Sequence, residues 1–123
     1  MKSQEQKKEI VKKMLDLAFN KKKPKDAIIY LANDFIQHNP KIPNGKEGML
    51  FALNDFYETN PSLKWSAREI WTDGDYVIVH SIYDFNKETA VVDIFRFRDD
   101  LIQEHWDVAQ EVPANMVHSN GMF

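Results

Sequence analysis

The sequence predicts an α+β domain: three helices packed against one face of a curved, four-stranded antiparallel sheet. Three observations lead there. Apolar residues recur at helical spacing over roughly the first 60 positions, and from Ser62 onward the period becomes that of strands. The strand-like segments are joined by turns far too short for a parallel crossover, which needs about a dozen residues or more.

Ile10, Val11, Met14, Leu15, Leu17 and Ala18 place an amphipathic helix over residues 3–20. Pro24 suits the first turn of a shorter second helix, with Ala27, Ile28, Tyr30 and Leu31 facing inward as far as about Asn33. Asp34 to Pro40 is too short for a helix and ends in the turn-forming Asn39-Pro40, so it reads as a brief extended segment with His38 at its end. After a loop through Pro43, Asn44 and Gly45, the stripe Met49, Leu50, Leu53, Phe56 and Tyr57 marks a third helix that Asn60-Pro61 stops. Four strands follow, over about 62–72, 75–85, 89–98 and 101–112, separated by Asp73-Gly74, Asn86-Lys87 and Asp99-Asp100.

With 123 residues and 14.5 kDa, the chain fits one domain, residues 1–123, around one core. At 43% hydrophobic and 28% charged it has a globular composition, and no apolar run reaches the length of a membrane span. The first residues lack the apolar stretch of a signal peptide, so a cytoplasmic location is expected. The absence of cysteine removes disulfides, thiol nucleophiles and zinc ribbons. A net charge of -3 gives no overall attraction to nucleic acid. Residues 1–25 do hold nine lysines against three acids, but Phe19 is the single aromatic residue among them, and they read as a solvated face.

The chemistry lies in ionisable residues set within apolar strands: His80 after Val77-Ile78-Val79, Asp93 between Val92 and Ile94, and His105 and Asp107 flanking Trp106. A buried carboxylate without partners costs several kcal/mol or shifts its pKa, so such an Asp is solvated, paired or functional. Strand alternation puts Val91, Asp93, Phe95 and Phe97 on one face and Val92, Ile94, Arg96 and Arg98 on the other. Gln103, His105 and Asp107 share a face of the last strand. A strict two-residue Asp99-Asp100 loop pairs Asp93 with Trp106; one bulged residue pairs it with His105, and the bulged register is expected because it gathers the ionisable groups on the concave face.

The segments "FIQHNP" (35–40), "GDYVIVH" (74–80), "VVDIFRFRD" (91–99) and "IQEHWDVAQEVP" (102–113), in this order, resemble the SnoaL-like polyketide cyclase family of the nuclear transport factor 2-like superfamily. The resemblance implies a cone-shaped fold with a deep apolar pocket, and ring closure by intramolecular aldol condensation without cofactor or metal. It implies that Asp107 is the acid/base, that Asp93 bonds the substrate and that His105 lines the pocket. His105 or His80 would donate to the oxyanion, with His38, Tyr30, Phe35, Phe51, Tyr57, Val91 and Phe95 among the pocket residues. The substrate would be an apolar carbonyl compound processed by a cyclase, isomerase or lyase-type reaction.

Two other readings stay open. His105 and Asp107 with His38, His80 or His118 could form a two-His-one-carboxylate metal site, and the fold also serves as a non-catalytic ligand-binding or protein-interaction module. Apolar Val92, Ile94, Trp106 and Val108 on the outer sheet face, with Trp71 nearby, point to a homodimer through that face, with Arg96 and Arg98 at its rim. The competing cover is the tail from Pro113 to Phe123, ending in Met122-Phe123.

Overall fold

A computed structural model describes all residues, 1–123. Helix α1 spans Gln4–Phe19 and begins in a capping box: Ser3 Oγ accepts from the Gln6 amide at 3.1 Å while Gln6 Oε1 accepts from the Ser3 amide at 2.8 Å. Its buried stripe is Lys7, Val11, Met14, Leu15, Ala18 and Phe19. Lys7 is tolerated there because its Nζ reaches Asp75 at 3.3 Å while its stem lies along apolar surface. At the other end the Asn20 side chain accepts from the Trp65 amide and donates to its carbonyl, tying α1 to the second strand.

Helix α2 is only Pro24–Ala27 and tightens into a 3-10 turn at Ile28–Tyr30. The expected continuation to Asn33 does not occur, because Leu31–Gln37 is strand β1. Helix α3 spans Gly45–Thr59, followed by β2 (Lys64–Asp73), β3 (Tyr76–Asp84), β4 (Glu88–Arg98) and β5 (Leu101–Glu111). No helix is long and apolar enough to cross a membrane.

The sheet has five strands in the order β1-β5-β4-β3-β2, and β1 runs parallel to β5. The expected four-stranded antiparallel sheet is therefore corrected to a mixed one. Everything between α3 and β4 separates β1 from β5 in the chain, which supplies the long connection that a parallel pair requires. The three helical elements cover the concave face, where Val11, Leu53, Leu63, Val77, Val79 and Ile102 form the best-buried part of the core.

The β4–β5 hairpin sets the register of the candidate site. Asp99 and Asp100 have φ of 52° and 67°, left-handed values that a two-residue hairpin loop needs and that short polar side chains tolerate. Arg98 pairs with Leu101 and Phe97 with Ile102; the register then shifts so that Arg96 pairs with Glu104, leaving Gln103 as the extra residue on β5. Beyond it, Phe95 faces His105 and Asp93 faces Asp107, not the expected His105. The bulge exists but sits within β5, so the pairing moves the opposite way. Asp93, His105 and Asp107 still share the concave face, as alternation requires.

The loop after β1 is pinned by close packing. Gly48 of α3 lies against the Pro43 carbonyl so tightly that a Cβ would collide with it, and Asn44 Oδ1 accepts from the Gln37 amide at 2.9 Å. These contacts pin the segment that carries Asn39 and Ile42, both of which line the cavity between helices and sheet.

Candidate functional site

Between the helices and the concave sheet lies a cavity of about 130 Å³. Of the 21 residues that line it, 17 are hydrophobic, so the polar ones stand out: Asn39, Asp93, His105 and Asp107, with the Tyr83 hydroxyl beside them. Phe35, Phe95, Leu53 and Leu15 form the inner wall; Ile28, Ile42, Met49, Phe56 and Phe85 are only partly buried and stand nearer the surface.

Neighbouring strands deliver the polar cluster. His105 shares a hydrogen bond of 2.8 Å with Asp93 Oδ1 through Nε2 and one of 2.7 Å with Gln37 Oε1 through Nδ1. Gln37 Oε1 also accepts from the Asn39 amide at 2.9 Å, which fixes it as an acceptor and makes Nδ1 of His105 a donor. A proton is then shared between His105 Nε2 and Asp93: the imidazolium donates it, or the carboxylic acid does. The second oxygen of Asp93 accepts from the Tyr83 hydroxyl at 3.0 Å, and burial pushes the Tyr83 phenol well above its ordinary value.

Asp107 completes the cluster. Both its oxygens accept from Asn39 Nδ2 at 2.9 Å, and Oδ2 stands 3.9 Å from His105 Nε2. Removal from water pushes its carboxyl above the usual range; the Asn39 hydrogen bond and the charge of His105 oppose that push, and Asp93 adds to it. Asp107 is thus a carboxylate on an apolar cavity wall with raised basicity.

Asp93, His105 and Asp107 each offer a ligand atom within 4.8 Å of the others, and they are the residues that could hold a metal. These atoms are already engaged: His105 Nε2 with Asp93 Oδ1, Asp93 Oδ2 with Tyr83, and both Asp107 oxygens with Asn39. His38 and His80 lie across the sheet and His118 is exposed in the tail, so none of the three joins His105 and Asp107 in the two-histidine ligand set expected from spacing.

Of the residues expected in the pocket, Phe35, Val91 and Phe95 line it, together with Asp93, His105 and Asp107. Five others do not. His80 is out of phase with inward Val79 and Ser81, so it lies on the outer face, where its ring stacks 5.8 Å from Phe123. His38 is likewise out of phase with inward Phe35; it stacks on Trp106 at 4.8 Å and meets Glu104 at 2.6 Å. Phe51 points outward and is 67% exposed, because Met49, Leu53 and Phe56 take the inner stripe of α3. The Tyr57 hydroxyl donates to the Ala18 carbonyl at 2.5 Å instead of facing the cavity, and burial pushes its pKa up to about 12. Tyr30 packs against the core from the 3-10 turn without reaching the cavity.

Gln37, Asn39 and Tyr83 belong to the cluster although the sequence does not single them out. Their signal was period two: Phe35, Gln37 and Asn39 alternate inward, as do Val79, Ser81 and Tyr83.

Residues 11–105 match the model of the SnoaL-like domain. TsrD from Streptomyces laurentii superposes with a TM-score of 0.77 at 19% identity, over 89% of this chain and 91% of that one. AclR from Streptomyces galilaeus, a proposed hydroxylase, gives 0.75 at 18% identity over 87% and 80% of the two chains. IdmH from Streptomyces antibioticus, a proposed polyketide cyclase, gives 0.73 at 19% over 85% and 91%. No curated protein matches in sequence. The superpositions show a common fold, the curved sheet wrapped on three helices.

Proposed function

Because this chain belongs to the SnoaL-like domain family, we propose that it is a cofactor-independent acid/base enzyme of the cyclase or isomerase type, acting on a carbonyl compound in the apolar cavity. One observation carries the reading. Asp107 faces the cavity, its basicity is raised by burial, and a proton-bearing His105–Asp93 pair stands beside it.

In the proposed reaction Asp107 removes a proton from the carbon next to the substrate carbonyl, and the electron pair of that C–H bond becomes the enolate. As charge develops on the enolate oxygen, that oxygen takes a share of the His105 Nε2 proton that Asp93 holds in the resting network, and Asp93 keeps the imidazole oriented. In a cyclisation the enolate carbon forms a bond to a second carbonyl of the same molecule, whose alkoxide oxygen takes the proton back from Asp107. In an isomerisation that proton returns to a different carbon. Atoms and electrons balance in both, and Asp107 is regenerated. Asn39 holds the carboxylate in place and Gln37 holds the imidazole in one tautomer.

The test is exchange of ketone α-protons into deuterated water, followed by NMR. The protein is expected to accelerate exchange, and Asp107→Asn to lower the rate by about 10² or more with the fold retained. Equal rates in the two proteins overturn the assignment and leave a non-catalytic binding module on the same fold.

A further inference from the structure

We infer that the cavity selects a neutral carbonyl compound with a single ring or a short chain of similar bulk, and excludes fused multi-ring compounds and ions. This rests on the acid/base reading for the word carbonyl, and on the cavity itself for size and charge.

Size comes first. The cavity measures about 130 Å³, and a protein cavity of about 150 Å³ is known to hold one benzene molecule. The space therefore suits a molecule of about benzene's bulk, roughly six or seven non-hydrogen atoms. Its inner wall does not give way easily: Phe35, Phe95 and Leu53 are 2%, 3% and 1% exposed, and close-packed interiors resist inserted volume. A second fused ring must displace one of them or protrude past Met49 and Ile42.

Charge comes next. No Lys or Arg lines the cavity, while Asp93 and Asp107 both do, so an anion would enter beside two acids, with the one imidazole there, His105, already paired with Asp93. A cation meets a different obstacle. Asp93 already shares the proton of His105 and accepts from Tyr83, and both oxygens of Asp107 accept from Asn39. An ammonium group would have to break that network while losing its own water among apolar walls. A neutral carbonyl loses little hydration and needs only a share of one donor, the His105 Nε2 proton, which it can take without displacing Asp93.

The experiment titrates the 123-residue chain with cyclohexanone, 2-tetralone and anthrone, which carry one, two and three rings, and with cyclohexanecarboxylate and cyclohexylammonium. Binding is read from chemical shifts of the His105 and Phe95 ring protons. Cyclohexanone is expected to saturate these shifts with an affinity at least about tenfold above that of anthrone and of either ion. Met49→Ala at the rim and Leu53→Ala in the wall are expected to raise 2-tetralone affinity by about tenfold relative to cyclohexanone. Since Leu53→Ala risks unfolding, Met49→Ala alone suffices for that comparison. Anthrone or either ion binding as tightly as cyclohexanone, or cyclohexanone failing to perturb these rings, overturns the inference. Failure of the acid/base reading looks different: cyclohexanone then binds with the expected selectivity, while its α-protons exchange no faster than in Asp107→Asn.

Discussion

Asp93 and Asp107 stand directly opposite one another across the β4–β5 ladder, on the concave face. Like charges in that relation repel, and burial removes the water that would screen them. The pair is held by asymmetric partners: Asp93 has His105 and Tyr83, whereas Asp107 has only a neutral amide at hydrogen-bond distance. One acid is thereby part of a satisfied network and the other is the more available base.

That asymmetry sets a pH signature. Burial raises the folded pKa of Asp107 above the ordinary 3.8, so between those two values the native state holds more protons than the unfolded chain. The stabilising contribution is complete below 3.8 and is lost as pH rises through the folded value. Asp107→Asn removes this loss. Urea unfolding across the acid to neutral range is expected to show the variant gaining on the wild type as pH rises, then levelling; a difference that does not vary with pH rejects the assignment.

The His105–Asp93 pair is expected to matter more to folding than to surface charge. Both groups are buried, at 6% and 2% exposure, and His105→Ala leaves a carboxylate with Asp107 opposite and no cation near. The expected loss is about 3–5 kcal/mol. Asp93→Asn still accepts from Tyr83 and keeps a polar group against His105, so about 1–3 kcal/mol is expected. Equilibrium denaturation of the two variants checks this, and equal losses contradict the pairing.

The sequence shows the elements with strong periods clearly. Stripes in α1 and α3 and alternation in β3 to β5 make their boundaries and inward faces legible, and the motif around Asp107 brings the trio together. What it hides depends on pairing over long range. β1 has an irregular burial pattern, with two adjacent buried residues at Leu31 and Ala32 and a register shift before Ile36, so its parallel partner leaves no period to read. The bulge at Gln103 has no local signal, since neither Gly nor Pro marks it. The misplaced pocket residues follow from weighing residue type over phase: His38 and His80 are chemically attractive, but the inward neighbours are Gln37, Asn39, Ser81 and Tyr83.

The outer face of the sheet carries exposed apolar side chains. Val108 is 76% exposed, Trp71 49% and Val92 41%, an unusual cluster for one side of a sheet whose other side already carries the helices. The tail reaches back to set Phe123 against His80, but these three side chains stay open. Arg96 and Arg98 are engaged within the chain, by Glu104 at 2.7 Å and Asp34 at 2.8 Å, so the charged groups near the face are already neutralised in pairs. We propose that a second copy covers this face about a two-fold axis, since the same apolar patch on both subunits is self-complementary. Light scattering at micromolar concentration is expected to give twice the 14.5 kDa chain mass, and Val108→Glu to return it to the single mass without loss of helix or strand signal. A wild-type mass of one chain rejects the dimer and leaves the Pro113 to Phe123 tail as the face's only cover.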